Sequence, residues 1–205
     1  MGTYGTLRRA TADDVVRLRA NPALVEAFVH DEPPAPASRR GGVFDFLRRL
    51  LPFGVAPPPE PPPAPAPPPW RPASAGEVLY LDKAWHGVHF LLTGLADGGP
   101  EPAGFLLEGG EDVGGDEWGE PVARLLDPAQ VRAFAAFLAA LTADELARRF
   151  DPARMTALDI YPGVIWHRAA EDDDARRFVL DAAAELQTFV ADAAAAGDAV
   201  VVCIA

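Results

Sequence analysis

Apolar residues recur at helical spacing in three long segments of the chain and form several short runs of strand length. The helical stripes lie at residues 11–30, 127–149 and 174–196. The short runs lie at residues 3–9, 78–81, 103–107, 122–126, 160–161 and 199–204. Apolar residues three and four apart share one helix face, whereas alternation or short unbroken runs are typical of strands. The pattern predicts an α/β fold with a mixed sheet of about four to five strands packed by helices.

Residues 32–76 interrupt this pattern. Twelve of the twenty-one residues from Pro52 to Pro72 are proline, which cannot donate a backbone hydrogen bond and favours extended polyproline II. We expect a disordered, proline-rich insertion within a single domain that spans residues 1–205. Inside the insertion, apolar residues at helical spacing beside Arg48 and Arg49 predict a short basic amphipathic helix over residues 43–51.

Charge is distributed unequally between the insertion and the rest of the chain. The whole sequence has 18 Lys and Arg against 30 Asp and Glu, a net charge of −12. Residues 32–76 hold five basic and three acidic residues, so they carry +2 and the remainder carries −14. A field of this sign repels nucleic acid and favours a basic protein partner. The basic helix at residues 43–51 could make a weak contact with an anionic membrane surface.

The sequence also bears on the cellular compartment. A single cysteine, Cys203, lies in an apolar run, so no intrachain disulfide can form and the thiol is expected to be a small buried apolar group. The first residues lack the apolar core of a secretory signal, and the longest apolar run, residues 133–141, is far shorter than the roughly 20 residues of a membrane helix. We expect a cytoplasmic protein with no transmembrane segment.

The densest group of chemically active side chains follows the second predicted strand. Asp82 is expected to cap a helix over Lys83–Thr93, in which His86 and His89 lie on neighbouring parts of one face. The two imidazoles could ligate a metal, although His-x-x-His is a weak motif. The alternative is that Trp85 packs against His89 and both imidazoles bond to nearby backbone groups.

An acidic, glycine-rich loop separates Ala103–Leu107 from Val122–Leu126, two segments expected to pair as a hairpin. Residues 108–120 contain six carboxylates, which suit a hard cation such as calcium, but their spacing departs from that of an EF-hand loop. A mobile, solvated turn is the alternative.

A metal bound by His86 and His89 would need a third ligand. Four residues are of suitable type: His167, Glu108, Asp112 and Asp116.

Other candidate chemistry is sparse. Both serines, Ser38 and Ser74, lie in the insertion without the glycine pair of a nucleophile elbow, which excludes serine hydrolase chemistry. Trp118 and Trp166 flank polar loops and could form the floor of a binding cleft, although large aromatic residues at loop edges are more often part of a core.

Several motifs, taken in order, resemble those of the YfbM-like family of uncharacterised bacterial proteins. They are Met1-Gly2 with Gly5, the block from Leu81 to Gly94, Glu108-Gly-Gly-Glu111, the segment from Pro121 to Leu126, Phe150-Asp-Pro and Tyr161-Pro. The resemblance covers nearly the whole chain outside the insertion and implies a cytoplasmic α/β domain with no assigned catalytic residue. It draws attention to Asp82, Lys83, Trp85, His86 and His89 as the family's characteristic helix.

Two functions remain as hypotheses. The first is a binding or regulatory protein that neutralises a basic partner, in a narrower form an immunity-type antidote to a toxin. The second is a metal-assisted hydrolase or transferase centred on His86 and His89, with a bound water as nucleophile. No cofactor is expected and no catalytic residue is assigned. The candidate binding residues are Asp82, Lys83, Trp85, His86, His89, Glu108, Asp112 and Trp166.

Overall fold

The computed structural model describes residues 3–31, 72–115, 123–168 and 173–205. These residues form one sheet of five strands: β1 Gly5–Ala10, β2 Val78–Asp82, β3 Glu111–Val113, β4 Ala123–Leu126 and β5 Ala199–Ile204. The spatial order is β2-β1-β5-β4-β3, so the last strand along the chain is at the centre. The predicted α/β class and strand number are confirmed, and β5 is buried along nearly its whole length.

The strands run antiparallel in all four pairings of the described sheet, so the predicted mixture of parallel and antiparallel pairs is wrong. β1 and β4 do point in the same direction, but β5 lies between them and pairs antiparallel with each. Strand direction depends on where the preceding helix returns the chain to the sheet, which the apolar pattern of a strand does not encode.

Helices cover both faces of this sheet. The described α-helices are α1 Ala12–Ala20, α2 Val25–Val29, α3 Trp85–Thr93, α4 Pro128–Ala139, α5 Ala143–Arg149, α6 Pro152–Ala157 and α7 Asp174–Ala196. Short 3-10 helices span Pro22–Leu24 and Gly163–Arg168. One face packs on α3, α4 and α7 through residues such as Leu7, Leu81 and Val202. The other packs on α1 and α2 through Ala10, Val201 and Cys203.

Local capping signals set most helix ends where the sequence predicts them. Thr11 and Asp127 each form a reciprocal capping box, the latter with Gln130. Thr142 accepts the backbone N–H of Glu145, but the Glu145 carboxylate binds Arg149 one turn on rather than closing the box. Gly94 and Gly197 end α3 and α7 in the left-handed conformation that favours glycine.

Two predicted strands are absent from the structure of the described residues. Ala103–Leu107 is a series of turns rather than a strand, and β4 pairs instead with β3. The segment is apolar because it is buried, but Pro100 and Pro102 precede it and its N–H groups bond locally, as from Leu107 to Gly104 over 2.9 Å. Residues 160–161 do not form a strand, and Tyr161 lies in a bend.

Most of the insertion, including the helix predicted at residues 43–51, lies outside the described residues. Its two ends meet at the body of the protein, because the Asp31 carboxylate accepts the backbone N–H of Ala73 over 2.7 Å. The same carboxylate pairs with the buried guanidinium of Arg8 at 3.1 Å. The chain therefore leaves and re-enters the fold at one anchored point.

Candidate functional site

The helix start predicted at Asp82 is displaced by two residues. Asp82 remains in β2 opposite Gly5, has a left-handed φ of 46°, and is exposed. A turn closed by the Ala84 N–H and the Leu81 carbonyl follows, and α3 begins at Trp85 without a side-chain cap. A residue in the left-handed conformation lacks the extended geometry that lets an N-cap carboxylate turn back onto the helix. The prediction that Asp82 caps α3 is therefore wrong.

His86 is bound on both sides of its ring by backbone groups. The N–H of Tyr161 donates to Nδ1 over 2.9 Å, and Nε2 lies 2.8 Å from the carbonyl of Ala96. Because Nδ1 accepts a hydrogen bond, it carries no proton, so Nε2 carries the ring hydrogen and donates it to the carbonyl, which assigns the neutral tautomer. Burial lowers the pKa of His86 and reinforces this state. The ring joins α3 to the segments around residues 96 and 161.

His89 is fully buried, with 0% of its surface exposed. Neither ring nitrogen has a hydrogen-bond partner among the described residues. Burial, helped by the nearby His86 and Arg124 and opposed by Asp97, lowers the pKa of His89 to about 4. The imidazole is therefore neutral at physiological pH and contributes mainly its volume to the core.

Trp85 joins the start of α3 to neighbouring segments. Its indole N–H donates to the Thr3 carbonyl over 3.2 Å, and its ring stacks on His86 with centroids 4.7 Å apart. The Tyr161 ring also stacks on Trp85, with ring centroids 6.1 Å apart. Lys83 lies in the preceding turn, where its ammonium is 5.4 Å from the ring centroid of the exposed Tyr4. The ring that stacks on Trp85 is therefore that of His86, whereas the sequence suggested His89.

Trp166 belongs to the core rather than to the floor of a cleft. It is 2% exposed, and its indole N–H donates to the carbonyl of Ile160. The ring also limits the space beside α3, because a Cβ on Gly87 would lie 3.2 Å from Trp166 and 2.9 Å from Val179 of α7. Glycine at position 87 therefore lets α3 approach α7 closely. Trp118, the other tryptophan considered for a cleft, lies outside the described residues.

The acidic residues of the loop do not converge with the histidines. Glu108 and Asp112 are exposed, and Asp112 lies on β3 opposite Arg124. Arg124 instead organises the buried turns, since its guanidinium donates to the carbonyls of Glu108 and Gly109 over 2.6 and 3.0 Å, and also to that of Leu106. Sequence reasoning missed Arg124, and the only signal was a basic residue inside an apolar strand.

The candidate ligands considered above do not form a metal site within residues 3–31, 72–115, 123–168 and 173–205. No group of three or more His, Cys, Asp or Glu in these ranges is placed to hold a metal ion. Both nitrogens of His86 are already engaged in hydrogen bonds, whereas a metal ligand needs one free lone pair. His167 is exposed on the 3-10 helix, and Asp116 lies outside the described residues.

Exposed aromatic residues mark a different part of the molecule. Tyr80, on the edge strand β2, is 59% exposed, and Tyr4 next to Lys83 is 48% exposed. Neither tyrosine was predicted from the sequence, although alternation along β2 places Tyr80 on the face opposite to the buried Leu79 and Leu81. No helix in the described part of the chain is long and apolar enough to cross a membrane.

Comparison with known proteins agrees with the resemblance drawn from the sequence. No curated protein matches the chain. The structure is similar to the crystal structure of YfbM from Escherichia coli, a protein of unknown function, with a TM-score of 0.60 and 16% identity over 98% of this chain and 99% of that chain. At this identity the likeness shows a shared fold. The family described as a domain of unknown function, DUF1877, matches residues 1–203, and the chain belongs to that family.

Proposed function

We propose that this protein is a cytoplasmic binding or regulatory protein whose partner is a basic protein. The observation that supports the proposal is the charge distribution. The whole chain has a net charge of −12, and because residues 32–76 carry +2, the remaining sequence carries −14. A field of this strength attracts a basic surface and accelerates encounter with it. An immunity-type role against a basic toxin is a narrower form of the same proposal.

The histidines of α3 support a binding function over a catalytic one. A general base or metal ligand must present a free nitrogen to a substrate or ion. His86 uses both nitrogens to hold the fold together, and His89 has no exposed surface. Asp82, Lys83 and the edge of Trp85 lie nearer the surface, and we assign them to contact with a partner rather than to chemistry.

Affinity capture from the organism that encodes the protein tests this function. Immobilised full-length chain and a form lacking residues 32–71 are each incubated with lysate at low salt and then washed at increasing salt. The proposal expects a basic protein that is retained at low salt and released at high salt, because screening weakens attraction between exposed charges. Failure of both forms to retain any basic protein above background would contradict it.

A further inference from the structure

We propose that the open edge of β2 binds an extended basic peptide segment of the partner as an additional strand. This inference rests on the proposed binding function and names the surface that carries it. Adding a strand to a sheet edge supplies main-chain hydrogen bonds, while alternate side chains of the peptide enter pockets beside the edge. Three features of β2 meet these requirements.

The first feature is a row of backbone groups that faces away from the sheet. β2 is the terminal strand, and the Arg9 N–H donates to the Glu77 carbonyl over 2.9 Å. In an antiparallel ladder such bonded pairs alternate with unbonded ones, so the next bonded pair is Leu7 with Leu79. The N–H and carbonyl groups of Val78 and Tyr80 therefore point outward, and the described residues supply no hydrogen bond to them.

The second feature is the composition of β2 itself. Natural edge strands are commonly short, charged or interrupted by proline, which prevents pairing with other chains. The opposite edge, β3, follows that rule with three residues, of which Glu111 and Asp112 are acidic, and Arg19 of α1 binds Glu111. β2 has five residues, and Val78 and Tyr80, the two whose backbone N–H and carbonyl groups point away from the sheet, are uncharged.

The third feature is a groove of about 380 Å³ between β2 and α7. Its floor is apolar, with Val78, Leu79 and Phe189, and its rim carries the exposed carboxylates of Glu185 and Asp192. Neither carboxylate forms an ion pair with another described residue. A peptide residue opposite Leu79 would direct its side chain toward α7, because paired residues share one face of a sheet.

Charge complementarity identifies the occupant. Lysine and arginine pack their aliphatic stems on apolar surface while the charged ends reach carboxylates, which matches an apolar floor with an acidic rim. On its other face, the added strand would place its side chains against the exposed Tyr80 ring. Aliphatic side chains pack well on such a ring. The groove thus fits a segment in which basic and β-branched residues alternate.

Fluorescence anisotropy with a defined peptide tests the inference on the full chain. The probe is a fluorescein-labelled nonapeptide, Lys-Val-Arg-Val-Lys-Val-Arg-Val-Lys, and the control peptide has proline in place of every valine. Both peptides carry the same charge, but only the first can pair as a strand. We expect the control peptide to bind at least about tenfold more weakly. Equal binding of the two peptides would overturn the inference, since charge alone would then explain it.

Protein variants locate the site. Glu185→Lys with Asp192→Lys should weaken binding of the probe by about tenfold or more, whereas the matched pair Asp13→Lys with Asp144→Lys, which changes net charge equally on other helices, should change it by less than about twofold. Val78→Pro removes an outward N–H without touching the bonded pair at Leu79, and it should also abolish binding. Equal losses in the two charge-reversed proteins would refute this surface.

Hydrogen exchange and the capture experiment separate the remaining outcomes. Saturating peptide should slow exchange of the Val78 and Tyr80 amides, and unchanged exchange there overturns the inference. Binding that is seen only after residues 32–71 are removed would identify the chain's own basic segment as the occupant and overturn an external one. If a basic partner is captured equally by wild type and by Glu185→Lys with Asp192→Lys, the proposed function stands and this surface fails.

Discussion

The backbone N–H of Tyr161 donates a hydrogen bond to Nδ1 of His86, 75 residues earlier in the chain, over 2.9 Å. On the other side of the ring, Nε2 bonds to the carbonyl of Ala96. One imidazole therefore satisfies two backbone groups from segments that contain no regular strand or helix at these positions. The ring replaces the ladder bonds that secondary structure would otherwise provide.

We expect His86→Ala to lower the free energy of unfolding by about 2 to 4 kcal/mol, because it leaves a partly buried N–H and carbonyl without partners. Urea denaturation at neutral pH measures the change. His167→Ala, at an exposed position, is the control and should stay within about 0.5 kcal/mol of wild type. Similar small losses in both variants would show that the His86 bonds do not stabilise the fold.

His89 predicts a loss of stability in mild acid. Its pKa is about 4 in the folded protein, below the roughly 6.5 of an unfolded chain. The unfolded state therefore binds more protons in this interval, and stability falls as the pH drops from about 6.5 toward 4, by about 3 kcal/mol in total. Above pH 6.5 this contribution is constant.

His89→Leu isolates that effect, because leucine has a similar volume and does not titrate. The free energy of unfolding of wild type minus that of the variant should fall steadily between pH 6.5 and 4, while contributions from carboxylates cancel. Denaturation curves at several pH values measure it. Parallel curves for the two proteins would contradict a buried, neutral imidazole at position 89.

Gly87→Ala should destabilise the protein despite alanine's better helix propensity, which is worth about 1 kcal/mol. The added methyl would lie 2.9 Å from Val179, and overpacking of this kind costs about 1 to 3 kcal/mol. In a double-mutant cycle, Val179→Ala should remove part of the penalty. Gly163→Ala is the control, since nothing lies within 4 Å of its Cβ position.

Removal of the insertion should leave the fold intact. Because Asp31 contacts Ala73 directly, a short glycine-serine turn can replace residues 32–71. We expect the free energy of unfolding to stay the same or rise by up to about 2 kcal/mol, since a shorter loop loses less entropy on closure. Thermal unfolding measures this. A loss of cooperative unfolding would mean that the insertion belongs to the core.

Metal content offers a direct comparison of the two functional hypotheses. Protein purified without chelators should contain far less than one equivalent of zinc, manganese or iron, because His86 has no free nitrogen for a metal. Elemental analysis by mass spectrometry measures this. A stoichiometric transition metal that is lost in His86→Ala would favour the metal-assisted hydrolase.

Features encoded within a few residues were predictable from the sequence. Thr11, Asp127 and Gly197 act through neighbouring backbone, so the structure places their helix ends where expected. The burial of Cys203 and the length of β5 followed equally from local composition. Each of these depends on short-range geometry that the residue type itself dictates.

Features that depend on distant contacts were not predictable. The apolar run at residues 103–107 has strand composition, but Arg124, some twenty residues later, binds the carbonyls of Leu106 and of the adjacent Glu108 and holds the segment in turns. Asp82 has the residue type of a helix cap, yet its pairing with Gly5 keeps it in β2. The His86 bonds to Ala96 and Tyr161 are likewise set by tertiary packing, which overrides local preference.

The central position of β5 constrains how the chain can fold during synthesis. β1 is synthesised long before its long inner partner β5, and Arg9 pairs with Asp198 across 189 residues. Until Ala199–Ile204 has been synthesised, the nascent sheet has a gap at its middle between β1 and β4. Such a topology folds slowly and late, so we expect truncation of the final strand to yield aggregates rather than a smaller stable protein.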